Sequence, residues 1–566
     1  MNKYHEWRLG DMDVFLINHR PIVGQKAILT KSCQKWLLEN SVKRVTLLNI
    51  QGMGYSLLES EICDLVSEAE IETLELPRIG LGNKLTPSEL SNLPWMMLTS
   101  ICRSIKPNAE TTVLLGRGAA IYDHIMWLAG QCYPHVNTLH IDSCEPVLNI
   151  HNLREHSPIE SEILPAMITS FVEDIVNERV DQENIGYIDS ERFMEFAKAT
   201  GLKGIGPALK QMVDKGGVEK HKNKKNVTYR LNPEALSDAA SKYFSQLPEK
   251  SSELPNLTIA FSRLPHIQSK KDDRQVEFEF FSYLSPLQPM DGLLVVLQRH
   301  DDSIPGSYIM TLEQALKGFN QKENTGFDDY HGDLIHAYNT IDTRTKEYDI
   351  DTDQHLVVIN PKPNLEFQMN LFLHLIARCN EFEKKLGPRI WDVDLTMPLN
   401  AIRSAVSFFS YFTHSAPTYV LKPRISGGEE KIPRRSLVLS LPNRIAQEAV
   451  QDNINPHGNA KGGPNCLIGL HKLEMEKVVK DDDDIFAALN NDENTVSIGI
   501  EPKSLKAKLK EYNLLEGNSQ IHRNLARLAQ ARLVHQVGSE FYLSELGRFV
   551  AEQILKIRQS EAKIDE

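Results

Sequence analysis

Two stretches of the chain gather cationic side chains in a way that suits nucleic acid. From Lys203 to Arg230, eight Lys or Arg stand against two acids, a net +6. From Lys503 to Arg532, seven stand against two, a net +5. The whole chain carries −13, so everything outside these stretches carries −24. Positive charge collected against an acidic background is what neutralising a phosphate backbone requires. In the first stretch Lys203, Lys210 and Gln211 fall at or along a helix. Lys220, Lys222, Lys224 and Lys225 surround a polar hairpin tip, where Asn223 and Asn226 suit the turn. In the second stretch Lys503 and Lys506 precede a helix that carries Gln520, Arg523, Asn524 and Arg527. Arg, Asn and Gln are the side chains that read base edges. The same charge also fits a dimerisation or spacer module with a solvated basic surface.

A second group of residues follows apolar strand-like runs. Asn18, His19 and Arg20 come after Val14–Ile17, and Gly116, Arg117 and Gly118 come after Thr112–Leu115. Asn360 and Lys362 follow His355–Ile359, and Thr396, Asn400 and Arg403 follow Ile390–Leu395. Glycine lets backbone approach a ligand, and a following helix N-terminus favours an anion. Polar residues with a cation at several such ends suit a phosphate-bearing ligand. The third glycine of a dinucleotide fingerprint is missing after Gly118, so a plain tight strand–helix turn fits that segment equally well.

Other chemistries lack their residues. There is no P-loop, HExxH, GxSxG or zinc-ligand spacing, and no catalytic triad can be assembled. His374 lies in an apolar helix and reads as a packing histidine, while His135 and His140 flank a strand. No catalytic residue, metal or cofactor is therefore expected. The seven cysteines are odd in number and show no CxxC, which argues against a disulfide scaffold. No run approaches a membrane span, and the N-terminus lacks an apolar signal core. The expectation is a soluble, cytoplasmic, multidomain protein in a reducing compartment, with no membrane partner.

The elements that must position these residues can be read from pattern. At ~150 residues per domain, 566 residues suggest about four domains. Residues 1–150 alternate short apolar strands with helices, as an open parallel α/β sheet does. Residues 165–245 run helix, helix, hairpin, the order of a winged helix–turn–helix. A linker rich in Pro, Glu and Ser follows, and the α/β pattern restarts over 256–440. There Arg274–Tyr283 suits a helix and the polar stretch Gln321–Asp353 reads as an insertion. Residues 422–485 are rich in Gly, Pro, Asn and charge, and the acidic run Asp481–Asp484 near their end reads as solvated linker. Residues 486–560 repeat the helix–hairpin order. The fold class is α/β plus winged helix: two Rossmann-like domains, each followed by a winged helix–turn–helix.

This order of parts resembles the CARF–winged-helix transcription regulators, CARF denoting the CRISPR-associated Rossmann fold. The residues that carry the resemblance are Asp13–Asn18, the Leu114–Gly118 turn, Val393–Thr396, and Leu543–Gly547, which is similar to the end of many archaeal winged helices. The resemblance covers most of the chain in architecture and few residues in motif. The family's hydroxyl-plus-glycines turn stands here as Gly-Arg-Gly in one copy and Thr-Met-Pro in the other. The resemblance implies a nucleotide ligand of the cyclic oligoadenylate class held between paired CARF domains, with double-stranded DNA as the output partner. The pairing would be an intramolecular pseudo-dimer or a homodimer. Two alternatives stand beside it. One is a metal-independent CARF-type ring nuclease, in which Arg20, Arg117, Lys362, Thr396 and Arg403 polarise a phosphodiester. The other is a winged-helix protein-interaction scaffold.

Overall fold

The computed structural model describes residues 12–18, 28–51, 57–79, 86–106, 109–133, 135–150, 158–177, 187–223, 226–247, 250, 254–263, 291–298, 308–320, 327–347, 350, 356–396, 398–413, 417–421, 437–448, 462–480, 498–514 and 521–562. The chain is mixed α/β. Strands β1 (Met12–Ile17), β2 (Val42–Ile50), β3 (Glu70–Leu76), β4 (Glu110–Leu115) and β5 (Val136–His140) form a parallel sheet of order β3-β2-β1-β4-β5. The runs are apolar on both sides because both faces are covered. Phe15 and Ile17 enter one core, while Val14 and Leu16 enter another. Local chemistry starts the helices. Thr86 and Glu89 close a capping box before the helix Pro87–Ser104, and the Thr30 hydroxyl accepts the Cys33 amide at 3.2 Å before the helix Lys31–Glu39.

A small module follows. Helices Ser190–Ala199 and Ile205–Asp214 lie between the first strand and the hairpin of a three-stranded antiparallel sheet. It is built from β6 (Ile188–Asp189), β7 (Val218–Asn223) and β8 (Asn226–Leu231), in the order β6-β8-β7. Buried Phe193, Ala197, Leu209 and Met212 form its interior. The helix Pro158–Val176 enters the module, and the helix Pro233–Gln246 leaves it.

The second sheet contains β9 (Asn256–Arg263), β10 (Gly292–Gln298), β11 (Tyr308–Thr311), β12 (Leu356–Asn360) and β13 (Ile390–Val393), in the order β11-β12-β10-β9-β13. All its pairs are parallel except β11 with β12. Setting β11 aside, the strands lie third, second, first, fourth in chain order, as they do in the first sheet. β14 (Thr418–Leu421) pairs with β15 (Leu437–Ser440) and touches the end of β13 through the Asp394–Thr418 bridge. A second helix–hairpin module ends the chain. It comprises helices Pro502–Glu511 and Ile521–Gln530, β16 (Val534–Val537), β17 (Glu540–Leu543) and the helix Glu545–Ala562.

Two elements depart from the sequence reading. Gln321–Asp353 holds the helix Phe327–Glu347, whose Leu334, Ala337 and Ile341 cover the outer face of the second sheet beside Leu293 and Val295. The stretch 422–485, rich in Gly, Pro and Asn and given no element, contains the helix Gly462–Lys480, which buries Cys466, Leu467 and Leu470 against the second module. Arg274–Tyr283 and Asp481–Asp484 lie outside the described residues. Among the described residues no helix is long and apolar enough to cross a membrane.

One continuous core joins the inner faces of both sheets and both modules. Within it the helices Ala120–Gln131 and Arg403–Thr413, the elements that follow β4 and β13, pack against each other. There the Trp127 and Tyr411 rings meet edge to face with centroids 6.3 Å apart. His124 is buried between Ser407, at 2.9 Å from Nδ1, and the Pro442 carbonyl, at 2.8 Å from Nε2. A carbonyl only accepts, so Nε2 carries the proton and Nδ1 accepts from Ser407.

Candidate functional site

In open α/β sheets the crevice for a ligand opens where strand order reverses. The first sheet reverses between β1 and β4, and the second between β9 and β13. The turns after β4 and β13 meet. Arg403 Nη1 donates to the Gly118 carbonyl at 2.7 Å and pairs with the Asp123 carboxylate, and Arg403 Nε donates to Pro398 O at 3.1 Å. Asp123 in turn accepts the Gly116 amide at 3.1 Å. A residue of the second α/β unit thus holds the glycine turn of the first.

Gly116 has φ +120°, and a Cβ there would stand 2.9 Å from His140 Nε2. Both facts require glycine. His140 lies beside the Asn400 backbone, and burial lowers its pKa, which keeps the imidazole neutral at neutral pH. Arg117 Nε donates to Asp142 Oδ1 at 2.7 Å. Its Nη1 is buried with no hydrogen-bond partner among the described residues. The helix Ala120–Gln131 starts from Ala119, which supplies no side-chain cap. Its first amides therefore lack the usual side-chain acceptor beside a buried guanidinium with a spare donor, and an anion would satisfy both.

The remaining candidates fall in different places. Asn18 is buried at the end of β1, with Nδ2 at 2.6 Å from Asn49 Oδ1, and β1 is the strand beside β4. His19 and Arg20 lie outside the described residues. The Thr396 hydroxyl donates to Asp394 and accepts the Val420 amide at 2.8 Å, so it shapes its own turn. Asn400 opens the short helical turn Asn400–Ile402 that leads to Arg403. Asn360, buried, ends β12 and Lys362, exposed, follows it, and β10 and β9 separate β12 from β13. Three strand spacings put them about 14 Å from the meeting point. Asp123, Asp142 and His140 belong to the arrangement and were not singled out as site residues. The available signal was a carboxylate at Asp123 within the buried helix Ala120–Gln131.

The two basic modules are presented differently. Lys203, Lys210, Gln211, Lys220 and Lys222 are exposed, while Lys224 and Lys225 lie outside the described residues. In the second module Lys503 is exposed and Lys506 half-buried, and Gln520 lies outside the described residues. The helix Ile521–Gln530 faces inward. Arg523 Nη2 donates to Ser245 O at 2.6 Å, and Gln530 Nε2 to Lys250 O at 2.9 Å. Arg527 and Arg523 line a cleft with Phe244, Lys250 and Trp391, and Asn524 bonds to Cys466. Just beyond the helix, Arg532 pairs with buried Asp392 of β13 at 3.0 Å. Burial raises the Asp392 pKa, and the Arg532 charge opposes that rise.

No family model and no curated protein matches the chain. Among the solved structures that match it, two resemble it as follows, and only faintly. Enterococcus italicus Csm6 bound to cyclic hexa-2'-fluoro-hexa-dAMP is 9% identical over 97% of this chain and 99% of that one, with a TM-score of 0.19. The N-terminal domain of Candida albicans trehalose-6-phosphate phosphatase is 11% identical over 99% of this chain and 98% of that one, with a TM-score of 0.17. Similarity at that level carries no argument about the fold or the chemistry of this chain.

Proposed function

We propose that the chain is a ligand-responsive, DNA-binding regulator of the CARF–winged-helix kind. Two Rossmann-like halves, 1–150 and 256–440, pair within one chain; the winged helix 165–245 forms the DNA-binding output, and the winged helix 486–560 is held in reserve against the second half. The observation that carries this reading is the docking of the Arg403 turn on the Gly116–Gly118 turn, across two sheets that share one strand order. The ligand assigned to this junction is a nucleotide of the cyclic oligoadenylate class. Its anionic groups would take the spare Arg117 donor and the uncapped amides of the helix Ala120–Gln131.

Coupling follows from connectivity. β13 leads into the turn that ends at Arg403, and its Asp392 holds Arg532 of the second winged helix. A ligand that moves that turn therefore bears on the second module. It shifts the equilibrium only by its differential affinity for the two arrangements.

The test is retention of fluorescent duplex DNA across a salt series, with and without cyclic tetra-adenylate. The reading expects affinity that falls steeply with salt and changes with the nucleotide. No retention at low salt under either condition contradicts it. Salt-dependent binding indifferent to the nucleotide keeps the regulator and discards this ligand class.

A further inference from the structure

Cys33 and Cys144 are far apart in sequence, yet Cys33 lies in one apolar cluster and Cys144 packs against it, close enough for the two thiols to interact. Thr30 sets the approach. Its hydroxyl accepts the Cys33 amide at 3.2 Å and donates to the Asp142 carbonyl at 3.0 Å, tying the start of the helix Lys31–Glu39 to the segment after β5. Ile141 and Cys33 share one apolar cluster, and Cys144 packs against it. Cys144 has φ +55°, in the left-handed region that a non-glycine residue occupies only where its surroundings hold it. Cys33 is fully buried and Cys144 half-buried, so solvent reaches one member of the pair.

We propose that Cys33 and Cys144 are an oxidation site, at which a peroxide oxidises Cys144 and Cys33 then closes an intramolecular disulfide. The interaction with Cys33 lowers the Cys144 pKa, which favours its thiolate. Cys33 is held protonated by that same interaction, by burial, and by the nearby Asp142 and Glu61 carboxylates. In the first step the Cys144 sulfur attacks a peroxide oxygen and the O–O bond breaks. Hydroxide leaves as water after taking a proton from solvent, and Cys144 becomes a sulfenic acid. In the second step the Cys33 sulfur attacks the Cys144 sulfur. The S–O bond breaks, and the departing hydroxyl takes the Cys33 proton to leave as a second water. Two thiols and one hydrogen peroxide give one disulfide and two waters. The bond would pin the segment carrying Asp142, which holds Arg117.

The inference stands independently of DNA or nucleotide binding. The full-length reduced chain is treated with stoichiometric hydrogen peroxide, its remaining thiols are alkylated, and it is mapped by mass spectrometry without reduction. The expected result is one linked peptide pair holding Cys33 and Cys144, with both thiols lost in equal amount and restored by dithiothreitol. Exposed Cys63 stays alkylatable at that dose. In Cys33→Ser, Cys144 should accumulate a dimedone-reactive sulfenic acid. The wild-type map stands even if that variant folds poorly. Oxidation of Cys63 ahead of Cys144, or loss of the Cys144 thiol with Cys33 still free, would overturn the proposal.

Discussion

The two basic modules share an element order and a charge excess, yet they present their second helices in opposite ways. Helix Ile205–Asp214 turns Lys210 and Gln211 to solvent, beside exposed Lys220 and Lys222. Helix Ile521–Gln530 commits Arg523 and Gln530 to backbone carbonyls at 245 and 250, and Arg532 beyond it to Asp392. A guanidinium that already donates to protein must exchange that bond before it can serve a phosphate. Charge makes both modules candidates for DNA, and among the described residues the first leaves its second helix exposed while the second does not. The second is held by the linker and by β13, the strand that runs into the candidate ligand turn.

That contrast holds only while the two α/β halves keep both modules in one frame, and the largest effect should come from breaking it. Arg403→Ala strands the buried Asp123 carboxylate, whose side chain is 1% exposed. Losing one partner of such a pair costs about 4 kcal/mol. Chemical denaturation should show it, and a loss below about 1 kcal/mol would mean that Arg403 is not a structural tie between the halves.

Acid should loosen the same frame. Burial pushes the His124 pKa down to about 4, against 6.5 when exposed. The unfolded chain therefore binds the extra proton first. Stability present above pH 6.5 falls as pH drops toward 4, by about 3 kcal/mol from this group. Urea titrations across that window should show the fall, and His124→Gln should flatten it. An identical pH dependence in the variant would remove His124 from the account.

The remaining predictions separate the modules. Lys220→Ala with Lys222→Ala removes two exposed cations from β7 of the first module. If both contact phosphate, the slope of log affinity against log salt should flatten by about 2. Arg523→Ala should change DNA affinity by less than about twofold while raising amide exchange in Ile521–Gln530, because it releases a docked helix rather than a DNA contact. A slope change for Arg523→Ala as large as that of the lysine pair would reverse the assignment of reader and reserve.

Much of this frame was legible locally. Val14–Ile17, Thr112–Leu115, Leu257–Phe261 and Leu293–Leu297 are apolar enough to require coverage on both faces, and the strands are there. The Gly116–Gly118 and Leu395–Arg403 turns were marked from their residue types, and they meet. Helix Gly462–Lys480 was missed because its stretch is rich in Gly, Pro and Asn, although Cys466, Leu467 and Leu470 carry helical spacing. Asp123 and His124 escaped because an isolated polar residue in an apolar helix says it has a partner without naming it. Here the partners, Arg403 and Ser407, lie about 280 residues away, a separation that no local pattern encodes. The docking of Ile521–Gln530 was invisible for the same reason: its basic amphipathic pattern reads alike whether the helix meets DNA or protein.

The most direct measurement is hydrogen exchange of the full chain with and without duplex DNA at low salt. The account predicts protection in Ile205–Asp214 and β7, with Ile521–Gln530 unchanged because it is already docked. Protection confined to Ile521–Gln530, or equal in both modules, would contradict it.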